Sequence, residues 1–263
     1  MFNPVLEWLR LPELRGIKDL DDPAVTRLHA QIIWKKIFLR KIYLDFYCEY
    51  KRIIRGKPSG VCVELGSGGG FAKKIFSTIL TSDIAPSPGL DFCFSAEQLP
   101  FKDTSIDALC MINVFHHIKN PVNALNEFSR CLKPGGVVLM IEPANTVWGR
   151  FVYGRFHHEH FDPAAAWSVE GQRRLSDANG ALPWIIFRRD RGRFESQYPL
   201  LKVSRVEFHT PLRYLLSGGL SLKQLLPSCA YRGVKGIESL LSPLNEWIGM
   251  FCTIEVRKQG AKE

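Results

Sequence analysis

Four residues in one short stretch, Glu64, Gly66, Gly68 and Gly70, and a fifth, Asp83, 19 positions after Glu64, have the types and spacing to hold a ligand. Glycines let the backbone approach a bound molecule and adopt conformations that a side chain obstructs. A carboxylate one strand further on is suited to accepting hydrogen bonds from ribose hydroxyls. A dinucleotide fingerprint would want glycine at 66, 68 and 71, but position 71 is Phe, which leaves NAD as the second choice of ligand. Glu64 would repel a pyrophosphate and suits a ligand carrying a sulfonium and an amino group. The loop also lacks the Lys-Ser/Thr of a phosphate-binding loop, which disfavours ATP and GTP.

Other chemistry-bearing residues lie downstream. His117, in the His116-His117 pair, is a candidate general base, with a structural turn as the alternative, and Glu142 carries the same two readings. His157-His158-Glu159-His160-Phe161-Asp162 lacks the H-E-x-x-H helical spacing of a metal site. No metal is therefore expected, and His158 is read as a proton acceptor or anion-binding group on a pocket rim. Arg188-Arg189-Asp190-Arg191-Gly192-Arg193 has no RNA-binding module around it and reads as a solvated loop.

The elements that must position these residues follow from hydrophobic periodicity. Pro23 to Gly56 predicts one long or two shorter amphipathic helices behind an acidic N-cap. Strands are predicted at Val61 to Leu65, Thr81 to Ile84, Asp107 to Val114 and Val137 to Glu142, with helices at Phe71 to Leu80 and Pro121 to Leu132. Gly135-Gly136 is expected to turn the second helix into the last of these strands. Beyond Pro143, strands are expected at Trp184 to Arg188, Leu201 to His209 and Phe251 to Lys258, and helical stretches around Leu212 to Leu216 and Ile237 to Ile248. This alternation predicts an α/β domain whose sheet is mostly parallel with helices on both faces.

The stretch Val61 to Pro143 resembles the class I S-adenosylmethionine-dependent methyltransferases, in particular the group with quinone-type and other small-molecule enzymes. The resemblance is carried by Glu64-x-Gly66-x-Gly68-x-Gly70, Asp83, Ala96-Glu97-Gln98-Leu99-Pro100-Phe101, Ile106-Asp107, His116-His117-Ile118 and Leu132-Lys133-Pro134-Gly135-Gly136. It implies a Rossmann-like, seven-stranded sheet and S-adenosylmethionine as cofactor. It also implies that Gly66, Gly68 and Gly70 cradle the methionine part, Glu64 meets its amino group, Asp83 holds the ribose and Asn113 approaches the methionine end. Where the family often has Asp before Ala96, this chain has Ser95, whose hydroxyl or neighbouring backbone would have to replace one adenine contact. Asn113-Val114-Phe115-His116 stands where a DNA adenine methyltransferase has Asp/Asn-Pro-Pro-Tyr/Phe, so an oxygen or carbon acceptor is favoured.

The 263 residues are expected to form a helical extension or lid over 1–58 and a cofactor-binding domain over 59–263, with its core at 61–143 and substrate-side insertions at 144–250. At 46% hydrophobic the chain can bury a full core, which excludes a disordered or fibrous protein. The absence of a long apolar run or a basic-then-apolar start points to the cytoplasm. The seven cysteines, an odd number without a C-x-x-C pair, are expected to be reduced core thiols.

The net charge of +9 is uneven: 12 Lys and Arg against 7 acids over 1–60, 6 against 7 over 61–140 and 17 against 12 over 141–263. Such basic flanks are either solvated surface or a means of attracting an anionic partner. The aromatic and cationic residues of the flanks either pack inward as a lid over a small soluble acceptor or present an apolar, basic mouth to a lipid-linked one, with peripheral contact with an anionic inner membrane face. An RNA methyltransferase and a non-catalytic cofactor-binding regulator are the alternatives. Oligomeric state is not legible.

Overall fold

In the computed structural model, residues 4–260 are described except 18, 20, 58, 158, 172, 174 and 175. The chain opens with α1 (Pro4–Leu9), α2 (Pro23–Lys35) and α3 (Ile37–Arg55). Asp22 caps α2 by accepting the Ala24 N–H at 2.7 Å, ahead of Pro23 at the first helical position. The chain then alternates β1 (Cys62–Glu64), α4 (Ala72–Ile75), β2 (Leu80–Asp83), β3 (Phe92–Cys93), β4 (Ile106–Ile112), α5 (Pro121–Cys131) and β5 (Leu132–Pro143). It continues through α6 (Val147–Phe156), α7 (Leu182–Trp184), α8 (Arg191–Gln197), β6 (Leu201–His209), α9 (Arg213–Ser217), α10 (Tyr231–Leu240), α11 (Asn245–Ile248) and β7 (Phe251–Lys258).

The seven strands form one sheet in the order β3-β2-β1-β4-β5-β7-β6. Strands β1 to β5 pair in parallel, and β7 runs antiparallel between β5 and β6. Successive strand residues point to opposite faces, so the sheet feeds two cores. Val63, Leu109, Met111, Val138 and Met140 pack with Leu125 and Phe128 of α5 on one side. Cys62, Ala108, Cys110, Leu139 and Ile141 pack with Phe38, Leu39, Ile42 and Tyr43 of α3 on the other. The first helices therefore cover a sheet face as well as flanking the site.

Two connections fix α2 and α3 over the sheet. Lys36, in extended conformation between them, donates from Nζ to the Gly219 and Leu222 carbonyls at 2.5 and 2.8 Å. Burial pulls its ammonium down to about 8. Arg213 bridges Asp45 of α3 and Glu238 of α10 in a buried ion-pair network joined by Tyr231.

The structure departs from the sequence expectations at several elements. Trp184 to Arg188, expected as a strand, is helical: α7 runs into a π-helical turn over Ile185–Arg189, closed by the Asp190 N–H on the Ile185 carbonyl. The helix expected over Phe71 to Leu80 is confined to α4, and Leu80 already pairs in β2. Gly135 and Gly136 lie within β5, whose pairing begins at Leu132 opposite Ile106, and a register shift between Ile106 and Ala108 accommodates them. The cysteines are all free, but Cys48, Cys93 and Cys229 are exposed rather than in the core. Among the described residues, no helix is long and apolar enough to cross a membrane.

Candidate active site

The site is built where the strand order reverses between β1 and β4, the position at which open α/β sheets leave a crevice beyond their strand ends. The chain leaves β1 at Glu64 and turns through the glycine loop. Leu65 N–H bonds to Cys110 O at 2.9 Å, Ser67 N–H to Ser82 O at 2.8 Å and Gly68 N–H to Asp83 Oδ2 at 2.9 Å. Two glycines answer to close approach. At Gly66, with φ of +62°, a Cβ would lie 2.5 Å from the Val114 side chain, and at Gly69 it would lie 2.7 Å from the Ala30 backbone of α2. Tyr47 of α3 holds the end of the loop by accepting the Phe71 N–H at 2.9 Å.

A cavity of about 870 Å³ opens above this loop, and all the residues expected for the cofactor line it: Glu64, Gly66, Gly68, Gly70, Asp83, Ser95, Ala96 and Asn113. Asp83 Oδ1 also accepts the Ala85 N–H at 3.1 Å, and Ser95 Oγ accepts the Glu97 N–H at 3.1 Å. Asn113 follows β4 in the left-handed region with φ of 55°, which turns the chain toward the histidine pair. Glu64 is only 3% exposed, and its Oε2 has no hydrogen-bond partner. Burial pushes its carboxyl up to about 7, against partial support from the nearby Ser67 and Tyr50 hydroxyls.

These features fit S-adenosylmethionine on structural grounds. A buried carboxylate oxygen has no donor among the described residues, the loop carries glycine at 66, 68, 69 and 70, and a second carboxylate stands at the end of β2.

A second group lines the same cavity. Phe115–His117 form a helical turn after β4, and the chain after α6 brings Glu159 to them. His116 Nε2 lies 3.3 Å from Glu159 Oε2 and His117 Nε2 lies 3.8 Å from Glu159 Oε1. The His116 ring is largely buried at the cavity wall: its Nδ1 meets Glu142 Oε2 at 2.5 Å, and Glu142 Oε1 accepts the Val114 and Phe115 N–H groups at 2.9 and 2.8 Å. Burial pulls the His116 imidazole down, but the Glu142 and Glu159 carboxylates outweigh it and raise it to about 10. For Glu159, burial raises the carboxyl, but the surrounding His116, His157 and His117 hold it well below the usual range.

This geometry changes the roles of the sequence candidates. Glu142 is 0% exposed, does not line the cavity and has both oxygens engaged, so it orients His116 and cannot reach an acceptor. His117, with 15% of its side chain exposed, does line the cavity. His158 lies outside the described residues. Sequence reading missed Glu159 as a site residue, together with the Tyr43, Tyr153, Tyr214 and Phe251 walls. Only the His-rich segment hinted at Glu159, because 42 residues separate it from His117 in the chain. The Arg188–Arg193 run is occupied within the molecule: Arg188 pairs with Glu246, Arg189 with Asp190, Arg191 with Glu195, and Arg193 lies over Trp167.

A methyltransferase domain family matches residues 63–140, the stretch from β1 through most of β5. No curated protein matches the chain. Among solved structures, a SAM-dependent methyltransferase from Archaeoglobus fulgidus has the same fold, with a TM-score of 0.53 at 13% identity over 83% of this chain and 94% of that one. A SAM-dependent methyltransferase from Thermotoga maritima aligns at a TM-score of 0.47 and 17% identity over 87% of this chain and 99% of that one. That domain match spans the glycine loop, Asp83 and the strands that carry them, so the chain contains a methyltransferase domain and is an enzyme whose cofactor is S-adenosylmethionine.

Proposed function

We propose that the enzyme methylates an oxygen, or an activated carbon, of a small or lipid-linked acceptor held between the glycine loop and the His116–His117–Glu159 cluster. The observation that carries this reading is the single cavity that joins the two. Its volume of about 870 Å³ falls toward the upper end of the roughly 300–1,000 Å³ usual for small-molecule sites, and its walls are largely apolar and aromatic. In the bound state the cofactor supplies a methyl on a sulfonium, which an acceptor lone pair takes as the carbon–sulfur bond breaks toward sulfur, leaving S-adenosylhomocysteine.

The residues of the chain do the positioning. Glu64 meets the amino group of the cofactor, Gly66, Gly68 and Gly70 let its methionine part approach the backbone, and Asp83 receives the ribose hydroxyls. Ser95 and Ala96 border the adenine, and Asn113 the methionine end. His117 takes the proton of a hydroxyl acceptor, and Glu142 acts through His116 by fixing its ring.

A lipid-linked acceptor is favoured by the exposed surface of α6, which borders the cavity through Arg155 and Phe156, and by that of α10 and α11. Val147, Phe151 and Phe156 of α6 are exposed, as are Ile237, Leu240 and Trp247 of α10 and α11. Arg150, Arg155 and Arg232 are exposed among them, whereas Glu238 and Glu246 are engaged by Arg213 and Arg188. Apolar anchors among uncompensated cations suit an anionic membrane surface. The pairing of the Arg188–Arg193 run weighs against an RNA acceptor. Incubating purified protein and cell extract with methyl-labelled cofactor, followed by mass spectrometry, tests the reading: label should appear in a small or lipid-extractable molecule in step with S-adenosylhomocysteine release. Label confined to RNA would overturn it.

A further inference from the structure

The second group lining the cavity has the makings of a metal centre. One ligand atom each from His116, His117 and Glu159 lies within 4.8 Å of the other two. Zinc bonds of about 2.0–2.1 Å set tetrahedral donors about 3.3 Å apart, so side-chain shifts of up to about 0.75 Å each would close the shell. The His116 Nε2 to Glu159 Oε2 separation is already 3.3 Å. Behind it, Glu142 engages His116 Nδ1 at 2.5 Å and directs Nε2 to the cluster, the carboxylate–histidine arrangement that supports metal-bound imidazoles.

Charge and access agree with this. A divalent cation with two neutral imidazoles would balance the Glu142 and Glu159 carboxylates, whereas one imidazolium leaves an excess negative charge in a water-poor site. All three donors line the cavity, and His157 uses its Nδ1 to accept the Glu159 N–H at 3.3 Å. Three protein donors with one side open is the composition of a catalytic centre, as opposed to a closed structural one.

We propose that His116, His117 and Glu159 bind a divalent transition-metal cation, Zn2+ by the nature of the donors, with an open coordination position toward the cavity. Resting on the methyl-transfer reading, that position takes an oxygen of the acceptor, and with the cation present His117 serves as a ligand while the metal lowers the pKa of the coordinated hydroxyl.

The test uses tag-free protein, stripped with chelator and titrated with zinc chloride by calorimetry, with metal content measured after dialysis. One zinc per chain is expected. Glu159→Gln and His117→Ala should each weaken it by about a hundredfold or more, and Glu142→Gln by about ten- to a hundredfold. Thermal melts of the stripped variants establish that they are folded. Substoichiometric zinc in the wild type, or unchanged zinc affinity in folded Glu159→Gln, would overturn the site and leave the cluster an ion-pair network. S-adenosylmethionine titrated into the same samples keeps the two readings apart: cofactor binding without zinc rejects the metal site alone, and zinc binding without cofactor rejects the methyl-transfer reading alone.

Discussion

Glu64 links the pH of the medium to cofactor affinity. Burial sets its carboxyl at about 7 in the free protein, and an ammonium beside it favours the carboxylate. Below pH 7 the residue must therefore lose a proton on binding, so affinity for S-adenosylmethionine should fall about tenfold per unit toward pH 5 and level off above 7. Calorimetry across pH 5.5 to 8.5 reads the profile, with Glu64→Gln expected to bind more weakly and without that slope; a wild-type profile flat below 7 would contradict the role. For His117, replacement by alanine should lower turnover by about a hundredfold or more while cofactor affinity stays near wild type. A loss of only a few-fold would make the pair a structural turn. Residues whose role depends on the local chain were legible: the glycines, Glu64 and Asp83 all sit on the cavity as their spacing implied. Glu142 and Glu159 were not, because burial of one and convergence of the other with His117 are properties of the folded chain.

At the scale of elements, α2 and the glycine loop are in direct backbone contact. A Cβ at Gly69 would stand 2.7 Å from Ala30 N and 3.1 Å from His29 C, neither of which can rotate away. Gly69→Ala should therefore destabilise the protein by about 1–3 kcal/mol and loosen α2, read by denaturant unfolding and by faster amide exchange over 23–35. Unchanged exchange there would mean that the helix does not rest on the loop. The strands β4, β6 and β7 and the helices α3 and α5 could be read from periodicity, since each buries a continuous face. The segment Ile185-Ile186-Phe187 misled because all three side chains are buried, and a short wholly apolar run does not distinguish a core strand from a core helix. Helix α6 escaped notice because Gly149 and Gly154 interrupt it. Gly149 is there for packing, since a Cβ would meet the Ala144 carbonyl at 2.3 Å, and Thr146 caps the helix through the Gly149 N–H.

Across the whole molecule, the cavity, its mouth and the basic flanks form one functional surface in the proposed account. The exposed apolar and arginine face of α6, α10 and α11 should bind anionic vesicles at low ionic strength, release them steeply with salt and ignore neutral ones. Liposome co-sedimentation measures this, with Phe151→Ser expected to weaken the attachment; no binding to anionic vesicles at low salt would remove the membrane and leave a soluble acceptor. The central claim, that this cavity holds S-adenosylmethionine through the glycine loop and the carboxylate of β2, is most directly tested by calorimetric titration of wild type and Asp83→Ala with S-adenosylmethionine and with NAD. The wild type should prefer S-adenosylmethionine, and the substitution should weaken it by about 1 to 3 kcal/mol through lost ribose hydrogen bonds. Tighter binding of NAD by the wild type, or unchanged S-adenosylmethionine affinity in a folded Asp83→Ala, would contradict it.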